Sequence, residues 1–85
     1  VPYIKPERRI RFDSAINSIS ENLETPGDIN YCISKLLILR AKELGYSYAT
    51  FNELMGVMDC ASKEFYRTVV VPYEEGAIVR NGDII

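Results

Sequence analysis

The stretch YATFNELMGVMDCASKEFYRTVVVP, residues 48–72, decides the fold. Within it Phe51, Leu54, Met55, Met58, Ala61, Phe65 and Val69 recur at helical spacing, a pattern sustained over about five turns of 3.6 residues. This is the strongest periodic signal in the chain. Thr68-Val69-Val70-Val71 is β-branched, but a strand there would have no neighbouring run to pair with. It is read as the end of the helix, which the spacing places over residues 48–71, with Pro72 bending or stopping it. Ser47 opens this helix, and Thr50 with Glu53 forms an alternative capping pair one turn later. Gly56 costs about 0.5–1 kcal/mol against alanine in a helix interior. It is either tolerated there or lets another helix approach.

Working outward, Gly45 is a natural left-handed stop for a preceding helix over residues 28–44. Asp28 is its expected N-cap, and Lys42 sits in the last turn, where it favours the dipole. Ile29, Cys32, Ile33, Leu36 and Leu37 line one face, which Ile38, Leu39 and Ala41 widen. A helix apolar around most of its girth is central in a domain or lies at an interface. Before it, Asp13 is the expected cap of a first helix over residues 13–24. Ile16, Ile19 and Leu23 make a single narrow stripe on it, and Thr25-Pro26-Gly27 ends it. Pro2 to Lys5 reads as extended, since Lys5 precedes a proline, and Pro6 opens a short turn. Tyr73 to Arg80 is read as one further helical turn, and Asn81-Gly82-Asp83 as a loop. The expected fold is all-α: a small three-helix domain with a short N-terminal turn and a C-terminal tail, and oligomeric. It is one domain over residues 1–85, with a basic arm at 1–11, a helical body at 12–80 and a tail at 81–85.

A chain of 85 residues has little core of its own, and domains of this size lean on disulfides, a metal or a partner chain. Its 47% hydrophobic and 26% charged content is that of a globular protein, not a disordered one. Cys32 and Cys60 both fall in apolar-periodic stretches and are expected to be reduced and shielded, as in a cytoplasmic protein, although a bridge between two helices is the alternative. The absence of histidine removes the commonest general base and transition-metal ligand together. No acidic run has calcium-loop spacing, so neither metal nor cofactor is expected. No apolar run reaches the roughly 18 residues of a membrane span, and the start is too charged for a secretory signal.

Net charge is −2, unevenly placed. Lys5, Arg8, Arg9 and Arg11 against Glu7 leave the first eleven residues at +3 and the remainder at −5. Such an arm suits an anion or the acidic face of a second copy, while a nucleic-acid polymer would need a broader basic face. Six of nine aromatics are tyrosines; they suit stacking and interfaces, and equally the rim of a small core. Lys63 and Arg67 lie four apart and share a helical face, as a two-pronged cation for a phosphate or carboxylate would. The plainer reading is a solvated face with an internal salt bridge. Adjacent Glu74 and Glu75 diverge by about 100° on a helix, so they do not converge as an acid–base pair.

Pro2-Tyr3-Ile4-Lys5-Pro6-Glu7-Arg8-Arg9, Gly27-Asp28-Ile29-Asn30-Tyr31, Glu64-Phe65-Tyr66-Arg67, Pro72-Tyr73-Glu74 and Asn81-Gly82-Asp83 follow one another in this order. Together they resemble a family of small uncharacterised proteins, a domain of unknown function found in bacteriophages and prokaryotic genomes. The resemblance spans nearly the whole chain and implies a one-domain protein of phage or mobile-element origin. It implies no activity. Val1 stands where that family would have methionine, and Gly76 departs from the more helix-favouring residue expected there.

The function expected from these residues is non-catalytic binding by a homo-oligomer, directed at a host protein or at a small anionic ligand such as a signalling nucleotide. Tyr3, Lys5, Arg8, Arg9, Lys63, Tyr66, Arg67 and Tyr73 are the candidate contact residues. The alternative is an enzyme whose site is completed across subunits. Phe65 is expected to be buried, and Leu36 to Leu39 to contribute an exposed apolar patch at a two-fold contact.

Overall fold

The computed structural model describes residues 2–85. Val1, the first residue of the expected arm, lies outside them. The described residues form α1 (Pro6–Asn22), α2 (Pro26–Leu44), α3 (Tyr48–Phe65), a π-helical turn (Tyr66–Val70) and α4 (Val71–Asn81). None of them is in a strand, and the fold is all-α as expected. The chain divides into two compact units, residues 1–54 and 55–85.

In the first unit, α1 begins at Pro6 and not at Asp13. Proline at the first helical position presets the backbone, and the amides of Arg8 and Arg9 both bond the Lys5 carbonyl, at 2.9 and 3.3 Å. No glycine or proline follows to stop the turn, so it runs straight on, and Asp13 is mid-helix instead of a cap. The separate basic arm is therefore mostly the first two turns of α1. A second correction concerns α2, which is capped by Thr25, with Asp28 in its first turn. Its end is as expected: Gly45 has φ 90° and its amide bonds the Ala41 carbonyl at 2.9 Å. Ser47 then caps α3, accepting the Thr50 amide at 3.1 Å and donating to the Thr50 hydroxyl at 3.2 Å. Tyr46 and Phe51 lean together across this turn, ring centres 5.8 Å apart. Among the described residues only Ala41 and Thr50, on either side of the turn, are buried.

In the second unit the helical path does not stop at Pro72. A proline inside an α-helix removes one amide and crowds the carbonyl four residues back, here that of Thr68. The backbone widens instead. The Val71 amide bonds the Tyr66 carbonyl five residues back, and the ladder steps past the proline into α4. The Thr68 hydroxyl meanwhile bonds the Glu64 carbonyl at 2.8 Å. α4 passes through Gly76 and ends at Gly82, where φ is 89° and the amide bonds the Ile78 carbonyl at 2.7 Å. Where the sequence suggests one helical turn after Pro72, there is an 11-residue helix that ends at Asn81, with residues 82–85 beyond it outside any helix.

Two burial expectations are overturned. Phe65 is 61% exposed, because the helix leads on into α4 and no second helix of the unit crosses that face. Both cysteines are free, but Cys60 is exposed and Cys32 only half-buried.

Candidate functional site

An apolar concavity belongs to the α1–α2 hairpin of the first unit, and a short capped turn makes it. Thr25 and Asp28 form a reciprocal capping box: the Thr25 hydroxyl accepts the Asp28 amide at 3.2 Å, and Asp28 Oδ2 accepts the Thr25 amide at 3.1 Å. The same oxygen also accepts the Glu24 amide at 2.8 Å, so one carboxylate gathers the whole turn. The Glu24 and Thr25 amides and then the Thr25 hydroxyl hold the Asp28 carboxyl below the usual carboxylate range. On the α1 side, Leu23 is extended and Asn22 Nδ2 donates to the Ser18 carbonyl at 2.8 Å.

From this turn the two helices leave an apolar groove of about 410 Å³ between them. Ile16, Ile19 and Leu23 of α1 face Ile29, Ile33 and Leu36 of α2, with Ser20 and Cys32 completing the lining. Extending α1 to Pro6 adds Phe12 one turn before Ile16 on the same stripe. These side chains are not satisfied within the unit: Ile16 is 58% and Leu36 69% exposed. Complete burial of such a side chain contributes about 1.5–3 kcal/mol, so covering one that is half-exposed is worth about 1 kcal/mol. A shallower concavity of about 370 Å³ at the same hairpin is more polar, with Asp28 and Tyr31 beside Asn22 and Cys32.

The candidate contact residues fall into both units. Tyr3 and Lys5 lie in the extended lead to α1, and Arg8 and Arg9 in its first turn. Arg9 Nε donates to the Ile4 carbonyl at 2.8 Å, tying that lead to the helix. In the second unit, Lys63 closes α3, Tyr66 and Arg67 belong to the π turn, and Tyr73 opens α4. Lys63 and Arg67 each have an acidic partner close in sequence, as the solvated-face reading expects. Lys63 pairs with Asp59 one turn back at 2.7 Å, and this hydrogen bond, then the charge of Asp59, holds its ammonium above the usual lysine range. Arg67 pairs with Glu64, Nε to Oε1 at 2.7 Å. Tyr73 has the Arg80 guanidinium over its ring at 5.9 Å. The sequence reading missed Phe12, Thr25 and Asp59. Thr25 carried a signal, the Thr-x-x-Asp spacing ahead of an apolar run.

A family model described as "Domain of unknown function (DUF6899)" matches residues 1–84. The chain belongs to that family. No curated protein and no solved structure matches it. For this DUF6899 chain, function rests on what the residues themselves place together. No helix among its described residues is long and apolar enough to cross a membrane. No group of three or more histidine, cysteine or carboxylate side chains gathers among them as metal ligands would.

Proposed function

We propose that this DUF6899 chain is a non-catalytic binding protein that works as an oligomer, its helical apolar faces covered by other protein chains. The uncovered groove of the α1–α2 hairpin carries this reading. Five large aliphatic side chains of its lining, Ile16, Ile19, Ile29, Ile33 and Leu36, stand about half in water, an exposed cluster of the kind that marks an interaction surface. A protein surface is the partner this chemistry fits best. A small anionic ligand, such as a signalling nucleotide, would instead engage the basic start of α1 at Lys5 and Arg8. The phage setting suggested by the sequence motifs suits a host-directed binder, and free cysteines suit a cytoplasmic one.

Native mass measurement of protein purified directly from cells tests this reading. It reports subunit number and any retained molecule together, and an oligomer is expected. A bare monomer there, and a monomer by sedimentation equilibrium at micromolar concentration, would sink it.

A further inference from the structure

α1 and the residues that flank it are segregated by charge. Residues 5–11 carry Lys5, Arg8, Arg9 and Arg11 against Glu7, a net +3, while residues 12–24 carry Asp13, Glu21 and Glu24 with no cation, a net −3. Both ends run against the helix dipole, which favours acids at the start of a helix and bases at its end. Among the described residues, none of Lys5, Arg8, Arg11, Asp13, Glu21 and Glu24 makes an ion pair.

The apolar stripe of the same helix has a matching property. Phe12, Ile16, Ile19 and Leu23 are spaced by four, three and four residues, which reads identically in both directions. A helix with equal and opposite ends and a palindromic seam is complementary to a reversed copy of itself. Side by side and antiparallel, Phe12 meets Leu23 of the second copy, Ile16 meets Ile19, and the basic end lies along the acidic end. Four-three spacing is also the seam that two helices pack at a shallow crossing angle.

We propose that the groove between α1 and α2 seats a second copy of this chain, with the two α1 helices antiparallel about a two-fold axis near Asn17 and Ser18. Each α1 then fills the other's groove, so every contact occurs twice. The proposal rests on the oligomeric reading above and names its partner and its geometry.

Sedimentation equilibrium of the full chain is the first measurement, and a dimer at micromolar concentration is expected. Ile16→Glu places a charge in the seam and should weaken dimerisation about a hundredfold. The double variant R8E/R11E touches only exposed side chains and removes charge that opposes the dipole, so its helicity by circular dichroism should be no lower than the parent's. Its self-association should weaken about tenfold. An equimolar mixture with E21K/E24K should restore dimers, since each acidic end then faces a basic one. Orientation is read by cross-linking in a Cys32→Ser, Cys60→Ser background, with added oxidant taking the two electrons as a disulfide forms. Phe12→Cys chains should join Leu23→Cys chains. Joining of Phe12→Cys chains to each other in preference would overturn the antiparallel arrangement. A stable dimer indifferent to both I16E and R8E/R11E would place the contact elsewhere and overturn this inference alone. A monomer throughout would overturn the oligomeric reading with it.

Discussion

At the residue scale, the Asp28 carboxylate does the most for the least mass. It accepts amides from Glu24 and Thr25 while its own amide is taken by the Thr25 hydroxyl. Thr25→Ala should cost about 1 kcal/mol, the usual loss of an N-cap. The pH dependence has a definite sign. A carboxyl whose folded pKa is depressed stabilises the fold above its unfolded value of about 3.9 and loses that contribution as pH falls through the lower folded value. Acid titration of helicity should therefore show a limb below about pH 4 that Asp28→Asn removes; an unchanged acid limb would mean the turn is held by other groups. Lys63 is the converse case: its stabilisation is intact at neutral pH and fades only as pH rises through its raised value. Phe65→Ala, on an exposed ring, should shift stability by no more than about 0.5 kcal/mol in dilute protein. A loss of several kilocalories would show the ring buried against another chain. Cys60 should react with thiol reagents in native protein faster than Cys32.

At the scale of elements, most helices were legible and their joints less so. Gly45 and Ser47 marked the end of α2 and the start of α3 because each acts through its own backbone or hydroxyl, with no help from elsewhere. The start of α1 was misplaced because Asp13 looks like a cap, while a Pro6 start needs no side-chain cap at all. The π turn carried no periodic signature. Four of its five residues are β-branched or aromatic, and only the proline behind them hints at a missing amide. Pro72→Ala returns that amide and removes the crowding at Thr68, so helical ellipticity and the thermal midpoint should both rise. If neither moves, the wide turn has a cause other than Pro72.

At the scale of the whole molecule, the all-α class was readable from spacing, and the location of the core was not. Spacing shows that Ile16, Ile19, Leu23, Ile33 and Leu36 share faces; it is silent on whether the cover comes from the same chain. Here only Ala41 and Thr50 among the described residues are buried, so most of the apolar surface of these helices is exposed. The surroundings of the candidate contact residues were less legible: Asp59 and Glu64 had to be seen in place to show that Lys63 and Arg67 each pair with an acid on their own helical path. Stability that depends on association must depend on concentration. The thermal midpoint should climb by several degrees between low and high micromolar protein, and a midpoint independent of concentration would mean the isolated chain supplies its own core.

The π turn before Pro72 has an evolutionary consequence. A π turn accommodates one residue more than an α turn while leaving the helix beyond it facing as before. Collapse to α geometry would swing everything after it by about 100°, the angle of one residue. Removing one residue from 66–70 while Pro72 remains would force the proline back into a regular helix and should be harmful. Replacing Pro72 alone relieves the backbone but lets α4 rotate. Both changes together should leave an uninterrupted helix with α4 facing as it does now. Paths between a long and a short form of this segment therefore cross a valley: two lesions, each costly to shape or backbone alone, are tolerated only as a pair.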